Sequence, residues 1–293
     1  MEYNSNPGEP VTTALLLAAG IGSRLCSLTK NAPKSLTLIH GKSILERLIN
    51  SLSQQGFKRL VIVTGHLEHC FRDFLGNQVG NIAIDYIFSS RYKTTNNIYS
   101  LWMAREIINE PFLLLESDLV FDPSLLDEML YPDRIAVAKM QPWMNGSYVT
   151  SNRSQQVKTL MAGNTDPFTE TRYKTVNIYS LSLTSWHLIV KRLDQHIADG
   201  KVNDYYETVF AELIADGSLA FKIVSFDRKP WYEIDTLEDL AEAEKLFPAD
   251  TYKATRAVTL AQPDVFIPHF NNAATFSSPP LKTTGLMYAT KQL

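Results

Sequence analysis

The stretch Ala14–Leu36 reads ALLLAAGIGSRLCSLTKNAPKSL and joins an apolar segment to a glycine-bearing loop. Its first part, Ala14–Ala19, is apolar without alternation, which is typical of a strand buried on both faces of a parallel sheet. Gly20 and Gly22 follow at once, and glycine lets a backbone turn sharply and bring its N–H groups against a phosphate. The stretch therefore predicts a buried strand that runs into an anion-binding loop.

The spacing of this loop differs from that of two better-known phosphate-binding loops. A dinucleotide fingerprint, G-x-G-x-x-G, requires glycine where Leu25 stands and an acidic residue about twenty positions further on. The next predicted strand, Leu60–Thr64, ends in Gly65 instead, and the P-loop pattern is absent. Arg24 and Lys34 lie just beyond the glycines, so the loop offers cations as well as amides to one polyanion.

The pattern L-A-A-G-x-G-S-R-L, followed by Pro33 and Lys34 nine residues after Arg24, resembles the signature of the sugar-phosphate and phosphocholine nucleotidyltransferases. The resemblance implies that Lys34 and Arg24 are catalytic. Alternation of predicted strands and helices along the chain favours the same fold, an α/β domain with a doubly wound, mixed, mainly parallel, Rossmann-like sheet. The resemblance also implies a set of nucleotide-binding residues, namely Ala18, Ala19, Gly20, Gly22, Ser23, Arg24, Gly65, Ser90 and Glu116.

Composition restricts the remaining classes. The 293 residues carry a formal charge of −3 without a run of like charges, which argues against a nucleic-acid-binding protein. The two cysteines lack metal-ligand spacing and indicate reduced thiols in the cytoplasm. No segment reaches the roughly twenty apolar residues of a membrane span, so a soluble protein without a membrane partner is expected.

Carboxylates follow two predicted strands and suggest a metal site. Asp118 comes directly after the strand Phe112–Leu115, where ligands collect in open α/β sheets. Glu233 and Asp235 lie two apart in an extended stretch, so they share a face. Alternatively, the negative charge of Asp235 stabilises the positive N-terminal end of the next helix, which Thr236 is expected to cap. The family resemblance implies that Asp118 and Asp235 bind Mg²⁺, with Glu233 supporting or ligating.

The acceptor would lie beside a hairpin predicted within Met140–Met161, where turn residues interrupt alternating segments. The resemblance and this placement give the predicted acceptor-binding residues Asn97, Lys139, Trp143, Asn177 and Glu207. The alternative role of the asparagine pair is that Asn96 or Asn97 caps a helix, and Asn177 can instead satisfy a sheet edge. An aromatic cage of Trp102, Trp143, Tyr173 and Trp231 would suit a quaternary ammonium, whereas Glu207 or Asp204 would suit a primary ammonium, and the sequence leaves this choice open.

The composition shifts after Pro248, so residues 1–248 are expected to form the nucleotidyltransferase domain and residues 249–293 a linker and further segment. Phe266–Thr275 reads FIPHFNNAAT and is followed by Pro279 and Pro280, which resembles the opening of class V pyridoxal-phosphate aminotransferases. This resemblance implies a fused aminotransferase domain that begins here. A disordered tail is the alternative.

Together these features predict a Mg²⁺-dependent cytidylyltransferase. It would transfer CMP from CTP to a small phosphonate or phosphate, with 2-aminoethylphosphonate as the favoured acceptor, and release pyrophosphate. Phosphocholine cytidylyltransferase, sugar-1-phosphate nucleotidyltransferase and a non-catalytic nucleotide-sensing module are the alternatives. The preference for cytosine comes wholly from the family comparison, and homo-oligomer formation is left open.

Overall fold

The computed structural model describes residues 10–141, 144–161 and 171–249. The predicted linker and aminotransferase-like segment lies outside the described residues, except for its first residue. The strands within these ranges are β1 (Thr13–Ala18), β2 (Leu38–Ile39), β3 (Lys42–Ser43), β4 (Arg59–Thr64), β5 (Gln78–Val79), β6 (Ile82–Phe88), β7 (Phe112–Glu116), β8 (Leu119–Phe121), β9 (Arg134–Lys139), β10 (Tyr148–Ser151), β11 (Val157–Met161), β12 (Arg172–Leu181), β13 (Lys222–Ser225) and β14 (Trp231–Glu233). The α-helices are α1 (Ile44–Gln54), α2 (Glu68–Leu75), α3 (Asn97–Met103), α4 (Leu183–Ala198), α5 (Tyr206–Ala215) and α6 (Leu237–Leu246).

The central sheet of the described ranges has ten strands, eight of them in the order β11-β10-β12-β7-β1-β4-β6-β5, with β9 pairing β12 and β13. The pairs β7-β1, β1-β4, β4-β6 and β9-β13 are parallel. The pairs of β12 with β7, β9 and β10 are antiparallel. The sheet is therefore mixed, with a parallel centre, and the predicted fold class is confirmed.

Apolar packing covers both faces of this sheet, as the uniform apolar run of β1 predicts. Leu16 lies in a core cluster with Leu48 of α1 and Phe71 of α2. Its neighbour Leu15 lies in the cluster on the opposite face, which contains residues of α3, α4 and α5 such as Trp186. All six residues of β1 are buried. Successive residues of β1 thus pack into two core clusters on opposite faces of the sheet, so β1 lies at the centre of the domain.

A third, smaller core cluster packs the glycine loop against β8 and the residues around Ile234. Leu25 packs there with Val120 of β8, Ile234 and Phe247. The strand pair β8-β14 is antiparallel and separate from the central sheet. Leu25 stands where a dinucleotide fingerprint has glycine, and the structure uses it as an apolar anchor. The loop after β1 is thereby held against the stretch around residue 234.

The predicted hairpin within Met140–Met161 exists as β10 and β11, which pair antiparallel. It is less separate than expected, because β10 also pairs with β12 and so extends the central sheet. Strand β12 itself is irregular between Thr175 and Tyr179. Among the described residues, none of the helices combines the length and apolar character that a membrane span requires.

The helix after residue 235 begins with the expected capping box. Thr236 accepts from the backbone N–H of Asp239 at 3.2 Å, and the Asp239 carboxylate accepts from the backbone N–H of Thr236 at 2.8 Å. Thr236→Ala should lower the free energy of unfolding by about 1 kcal/mol, because it removes the acceptor for a helix-terminal N–H. Urea denaturation checks this, with Thr236→Ser as the control that keeps the hydroxyl. Equal midpoints for the alanine variant and the wild type would contradict it.

Candidate active site

The candidate site lies where the central parallel strands end. Residues Leu17 of β1 and Glu116 of β7 are in register, as are Ala18 of β1 and Thr64 of β4. Because these strands are parallel, the segments that follow them leave the same edge of the sheet. The glycine loop, Gly65 and Asp118 therefore come from neighbouring strand ends.

The glycine loop is shaped to hold Lys34. Gly22 has φ of 67°, in the left-handed region that favours glycine, and an added Cβ would lie 3.1 Å from Cβ of Lys34. Thr29 donates to the carbonyl of Gly22 at 2.9 Å and closes the turn. Ser23 begins the 3-10 helix after this turn, and a Cβ added to Gly20 would contact nothing within 4 Å. The close fit is thus at Gly22 and Lys34.

Lys34 joins the two aspartates that were predicted to bind metal. Its Nζ donates to Oδ2 of Asp118 at 2.8 Å and to Oδ1 of Asp235 at 2.6 Å. The lysine side chain is 12% exposed. Burial alone would lower the pKa of Lys34, but the charges and hydrogen bonds of Asp118 and Asp235 raise it above its ordinary value. Lys34 is therefore held as a cation between two carboxylates.

Strand pairing explains why two distant aspartates meet. Leu119 of β8 is in register with Glu233 of β14, and the N–H of Ile234 donates to the carbonyl of Asp118 at 2.9 Å. This places residue 118, just before β8, beside residue 235, just after β14. Arg24, whose side chain is 69% exposed, contacts Asp235 at 2.7 Å. Both predicted catalytic cations thus contact a predicted metal ligand.

The donor set fits a magnesium ion. Mg²⁺ binds one or two carboxylates and keeps several waters or phosphate oxygens. Oδ1 of Asp118 is buried and has no hydrogen-bond partner among the described residues. The described ranges contain no group of three or more His, Cys, Asp or Glu residues arranged to hold a metal. Glu233 instead pairs with Lys174 at 3.3 Å, so the structure favours a two-carboxylate site with Glu233 as a neighbour.

The end of β4 approaches the end of β1 very closely. A Cβ added to Gly65 would lie 2.6 Å from Cβ of Tyr92 and 2.7 Å from the carbonyl oxygen of Ala19. His66 donates its backbone N–H to that same carbonyl at 3.2 Å. Only glycine fits at this position without displacement of its neighbours. Ser90 is exposed in the turn after β6, beside these segments.

A second group of predicted residues meets around Glu116, at the end of β7. Asn97 Nδ2 donates to Oε1 of Glu116 at 3.3 Å, and Tyr206 Oη donates to the same oxygen at 2.9 Å. Asn97 Oδ1 also accepts from the backbone N–H of Tyr206 at 3.1 Å. Asn96 is the N-cap of α3, because its side chain accepts from the backbone N–H of Asn97 at 2.8 Å, so the capping alternative is wrong for Asn97. Asn97 is the first residue of α3 and ties this helix to α5 and to Glu116.

Burial changes the protonation of two glutamates in this region, Glu116 and Glu207. Burial raises the pKa of Glu116 well above its ordinary value, and the charges of Asp118, Glu207 and Glu233 add to this. Burial also raises the pKa of Glu207 to about 7, and Glu233 adds to this, whereas a hydrogen bond from its own backbone amide and the charge of Lys174 oppose it. We call this group of carboxylates the acidic wall. It extends from Asp118 and Asp235 through Glu116 and Glu233 to Glu207 in the first turn of α5.

Lys174 is a site residue that the sequence reasoning missed. It is 4% exposed, and its Nζ donates to the carbonyl of Thr175 at 2.8 Å and to Glu233 at 3.3 Å. The signal was a lysine inside a strand whose following residues are all apolar or small polar. Asn177, three residues on, is buried with a φ of 59°, and its Oδ1 accepts from Thr175 at 2.9 Å. An asparagine in the left-handed region breaks the pairing of β12 there.

One predicted acceptor residue, Lys139, is not brought into this arrangement. Lys139 ends β9 with an exposed side chain, and its backbone N–H donates to Asp227 at 2.9 Å. Trp143 lies outside the described residues. The remaining aromatic candidates do not converge either, because Trp231 packs against one core cluster, whereas Trp102 and Tyr173 pack against the other.

Comparisons with known proteins agree with this geometry. The sequence model of the family described as "Nucleotidyl transferase" matches residues 13–137. The chain is 30% identical over 255 residues to CMP-5'-(3-aminopropyl)phosphonate synthase of Streptomyces rubellomurinus, covering 83% of this chain and 40% of the relative. It is 31% identical over 124 residues to 2-aminoethylphosphonate cytidylyltransferase of Lancefieldella rimae, covering 42% of this chain and 48% of the relative. The match thus spans less than half the length of the Streptomyces relative.

A solved structure shows the same fold. CTP:phosphocholine cytidylyltransferase from Streptococcus pneumoniae superposes with a TM-score of 0.70 at 22% identity, covering 80% of this chain and 98% of that chain. At that identity the match establishes architecture, and the family match rests on the sequence over β1 to β9. The family match over residues 13–137 shows that this chain carries a nucleotidyltransferase domain.

Proposed function

We propose that the domain is a Mg²⁺-dependent cytidylyltransferase that transfers CMP from CTP to a small phosphonate, with 2-aminoethylphosphonate as the favoured acceptor. The observation that carries the proposal is the double contact of Lys34 with Asp118 and Asp235, which are 84 and 201 residues away in the chain. Such a convergence of one buried cation and two carboxylates suits the handling of a polyphosphate. Relatives named for cytidylyl transfer to aminophosphonates support cytosine and the acceptor class.

In the proposed reaction an acceptor oxygen attacks the α-phosphorus of CTP. The new bond joins this oxygen to the α-phosphorus, the bond between the α-phosphorus and the bridging oxygen breaks, and pyrophosphate leaves. An ionised phosphonate is already nucleophilic, so positioning and neutralisation of charge supply most of the catalysis. No proton needs to be removed from the acceptor when it reacts as the dianion.

Residues of the glycine loop would bind the nucleotide. The amides at Gly20 and Gly22 would face the β- and γ-phosphates together with Arg24, whose exposed guanidinium is close enough to contact Asp235. Lys34 would move its hydrogen bonds from the aspartates to the α-phosphate and the acceptor. Gly65 and Ala19 would form the floor beneath the nucleoside, where the backbone packing leaves no room for a side chain.

Asp118 and Asp235 would hold the magnesium ion. A divalent cation at this position supplies neutralisation of phosphate charge and orients the reacting groups. The buried, unpartnered Oδ1 of Asp118 supports this assignment, since such an oxygen is costly unless it binds a cation or a donor.

The tail supports an amine-bearing acceptor. Its resemblance to class V aminotransferases would place an amine-forming activity next to the transferase site, and we propose that residues beyond 249 begin such a domain. The Streptomyces relative, more than half of whose length lies outside the match, is compatible with a longer architecture. We also propose a cytoplasmic location, where CTP is available.

The test is a pyrophosphate-release assay with CTP or UTP, with Mg²⁺ or EDTA, and with 2-aminoethylphosphonate, phosphocholine or glucose-1-phosphate. We expect release with CTP, Mg²⁺ and the phosphonate, together with a CMP-linked product. Release only with glucose-1-phosphate would support a sugar-1-phosphate nucleotidyltransferase. Nucleotide binding without release under any condition would support a sensing module and overturn the proposal.

A further inference from the structure

Glu207 carries a buried oxygen that the described residues leave without a hydrogen bond. The residue is 5% exposed in the first turn of α5, and its Oε2 has no partner among the described residues. A buried acceptor without a donor is costly, by roughly 1–3 kcal/mol and more when it is charged. Although the carboxyl group of Glu207 also interacts with Asn97, an unpaired oxygen of this kind is a suitable acceptor for a hydrogen bond from a ligand.

The surroundings of Glu207 are acidic. Glu116 and Glu233 lie close enough for their charges to interact with the carboxyl group of Glu207, and the buried cation among these three glutamates is Lys174. The direct bonds of Lys174 go to Thr175 and Glu233. This wall therefore holds more carboxylates than buried cations, and a positively charged ligand group would reduce the mutual repulsion.

Other candidates for binding a cationic head group are engaged elsewhere. Asp204 is 41% exposed at its side chain and lies 3.8 Å from His196. Trp102 has the guanidinium of Arg105 over its ring at 3.6 Å and donates to Asp194 at 2.8 Å. Among the described candidates, Glu207 is the one whose polar atom is both buried and unpartnered.

The chemistry of the cation follows from the atom that would bind it. A carboxylate oxygen in a buried site needs a hydrogen-bond donor, and a primary ammonium has three N–H groups. A quaternary ammonium has none and would leave the oxygen unsatisfied. Asp118 lies close enough to Glu116 for its charge to act on that carboxyl group, so an acceptor with its phosphonate near Lys34 would direct its other end towards α5.

On the basis of the proposed function, we propose that Glu207, supported by Glu116, binds a primary ammonium group of the acceptor and sets the preference for aminophosphonates over neutral or quaternary analogues. Asn97 and Tyr206 would act as positioning residues, because they fix Glu116 and tie α5 to α3.

The test compares acceptors of equal size. 2-Aminoethylphosphonate and n-propylphosphonate differ only in an ammonium replaced by a methyl group, and phosphocholine supplies the quaternary case. Binding is measured by calorimetry on the full chain with Mg²⁺ and a non-hydrolysable CTP analogue, and kcat/KM by pyrophosphate release. We expect the ammonium to improve binding about 10- to 100-fold over n-propylphosphonate, as for a charged hydrogen bond.

Glu207→Gln should remove most of this preference, because it should weaken the binding of 2-aminoethylphosphonate much more than that of n-propylphosphonate. Asp216→Asn, at the exposed end of the same helix, is the matched control and should keep the preference. Thermal unfolding checks that the variants fold, and the comparison of acceptors on the wild-type chain needs no variant.

The experiment distinguishes failure of the ammonium subsite from failure of the proposed reaction. Equal binding of both phosphonates to the wild-type chain, or an unchanged preference in a folded Glu207→Gln variant, would overturn the ammonium subsite, even if pyrophosphate is released. Ammonium-selective binding that depends on Glu207, without pyrophosphate release, would support the subsite and overturn the proposed reaction. Absence of binding by any of the three acceptors would overturn the subsite.

Discussion

Lys34→Ala is expected to lower the turnover of CMP transfer about 100- to 1,000-fold, as for the loss of one preorganised donor at a developing charge. In the structure this ammonium donates hydrogen bonds to Asp118 and Asp235. In the proposed reaction it would donate to the α-phosphate instead. Initial-rate measurement of pyrophosphate release at saturating CTP and acceptor checks the prediction. Lys58→Ala, an exposed lysine that precedes β4 and so lies at the opposite edge of the sheet, is the matched control.

A second readout separates catalysis from folding. Removal of Lys34 also removes the cation that two carboxylates share, so the variant should bind Mg²⁺ more tightly than the wild type in the absence of nucleotide. Calorimetric titration with Mg²⁺ measures this directly. Near-wild-type turnover in a folded Lys34→Ala variant would remove Lys34 from the mechanism.

Asp118→Asn and Asp235→Asn are each expected to reduce kcat/KM at least about 100-fold, because a metal ion supplies several kcal/mol of charge stabilisation and each substitution removes a charged ligand. The concentration of Mg²⁺ that gives half-maximal rate should also rise. The combination distinguishes loss of a metal ligand from a general structural defect, which would lower the rate without shifting the dependence on Mg²⁺.

Asp85→Asn serves as the control for the aspartate variants. Asp85 lies in β6, is 46% exposed at its side chain and pairs with Arg59. It should keep both the rate and the dependence on Mg²⁺. If Asp118→Asn or Asp235→Asn shows a wild-type Mg²⁺ titration, the assignment of these two residues as metal ligands is wrong.

The fold was largely predictable because its main signals are local. The apolar run of β1 predicted burial on both faces, and alternating residues do enter two separate clusters. The hairpin was predicted from its turns, but its attachment to the central sheet was not. That attachment depends on β10 pairing with β12, a contact between residues distant in sequence that no local pattern encodes.

The site was predictable where chain direction decides position. Asp118 follows a parallel strand, so its place at the sheet edge could be expected from the sequence. The arrival of Asp235 beside it required the family resemblance, since the pairing of β8 with β14 carries it there. That the two aspartates and Lys34 share direct hydrogen bonds was not predicted, because side-chain rotamers in a cluster of opposite charges follow from the folded structure.

Lys174 and Asn177 show the limit of periodicity. A lysine in a strand ordinarily predicts a solvent-facing position, whereas Lys174 is buried against Glu233. The same strand has a left-handed backbone at Asn177 and irregular pairing after Thr175. The burial of Lys174 depends on Glu233 from another strand, which sequence spacing does not reveal.

The position of a bound divalent ion tests the central claim most directly. Anomalous diffraction from Mn²⁺ in crystals grown with a non-hydrolysable CTP analogue would locate it. We predict one peak bonded to the carboxylates of residues 118 and 235 and to phosphate oxygens, with the ammonium of residue 34 on the nucleotide. A metal bound elsewhere, or an ammonium still bonded to both aspartates with nucleotide present, would contradict the account.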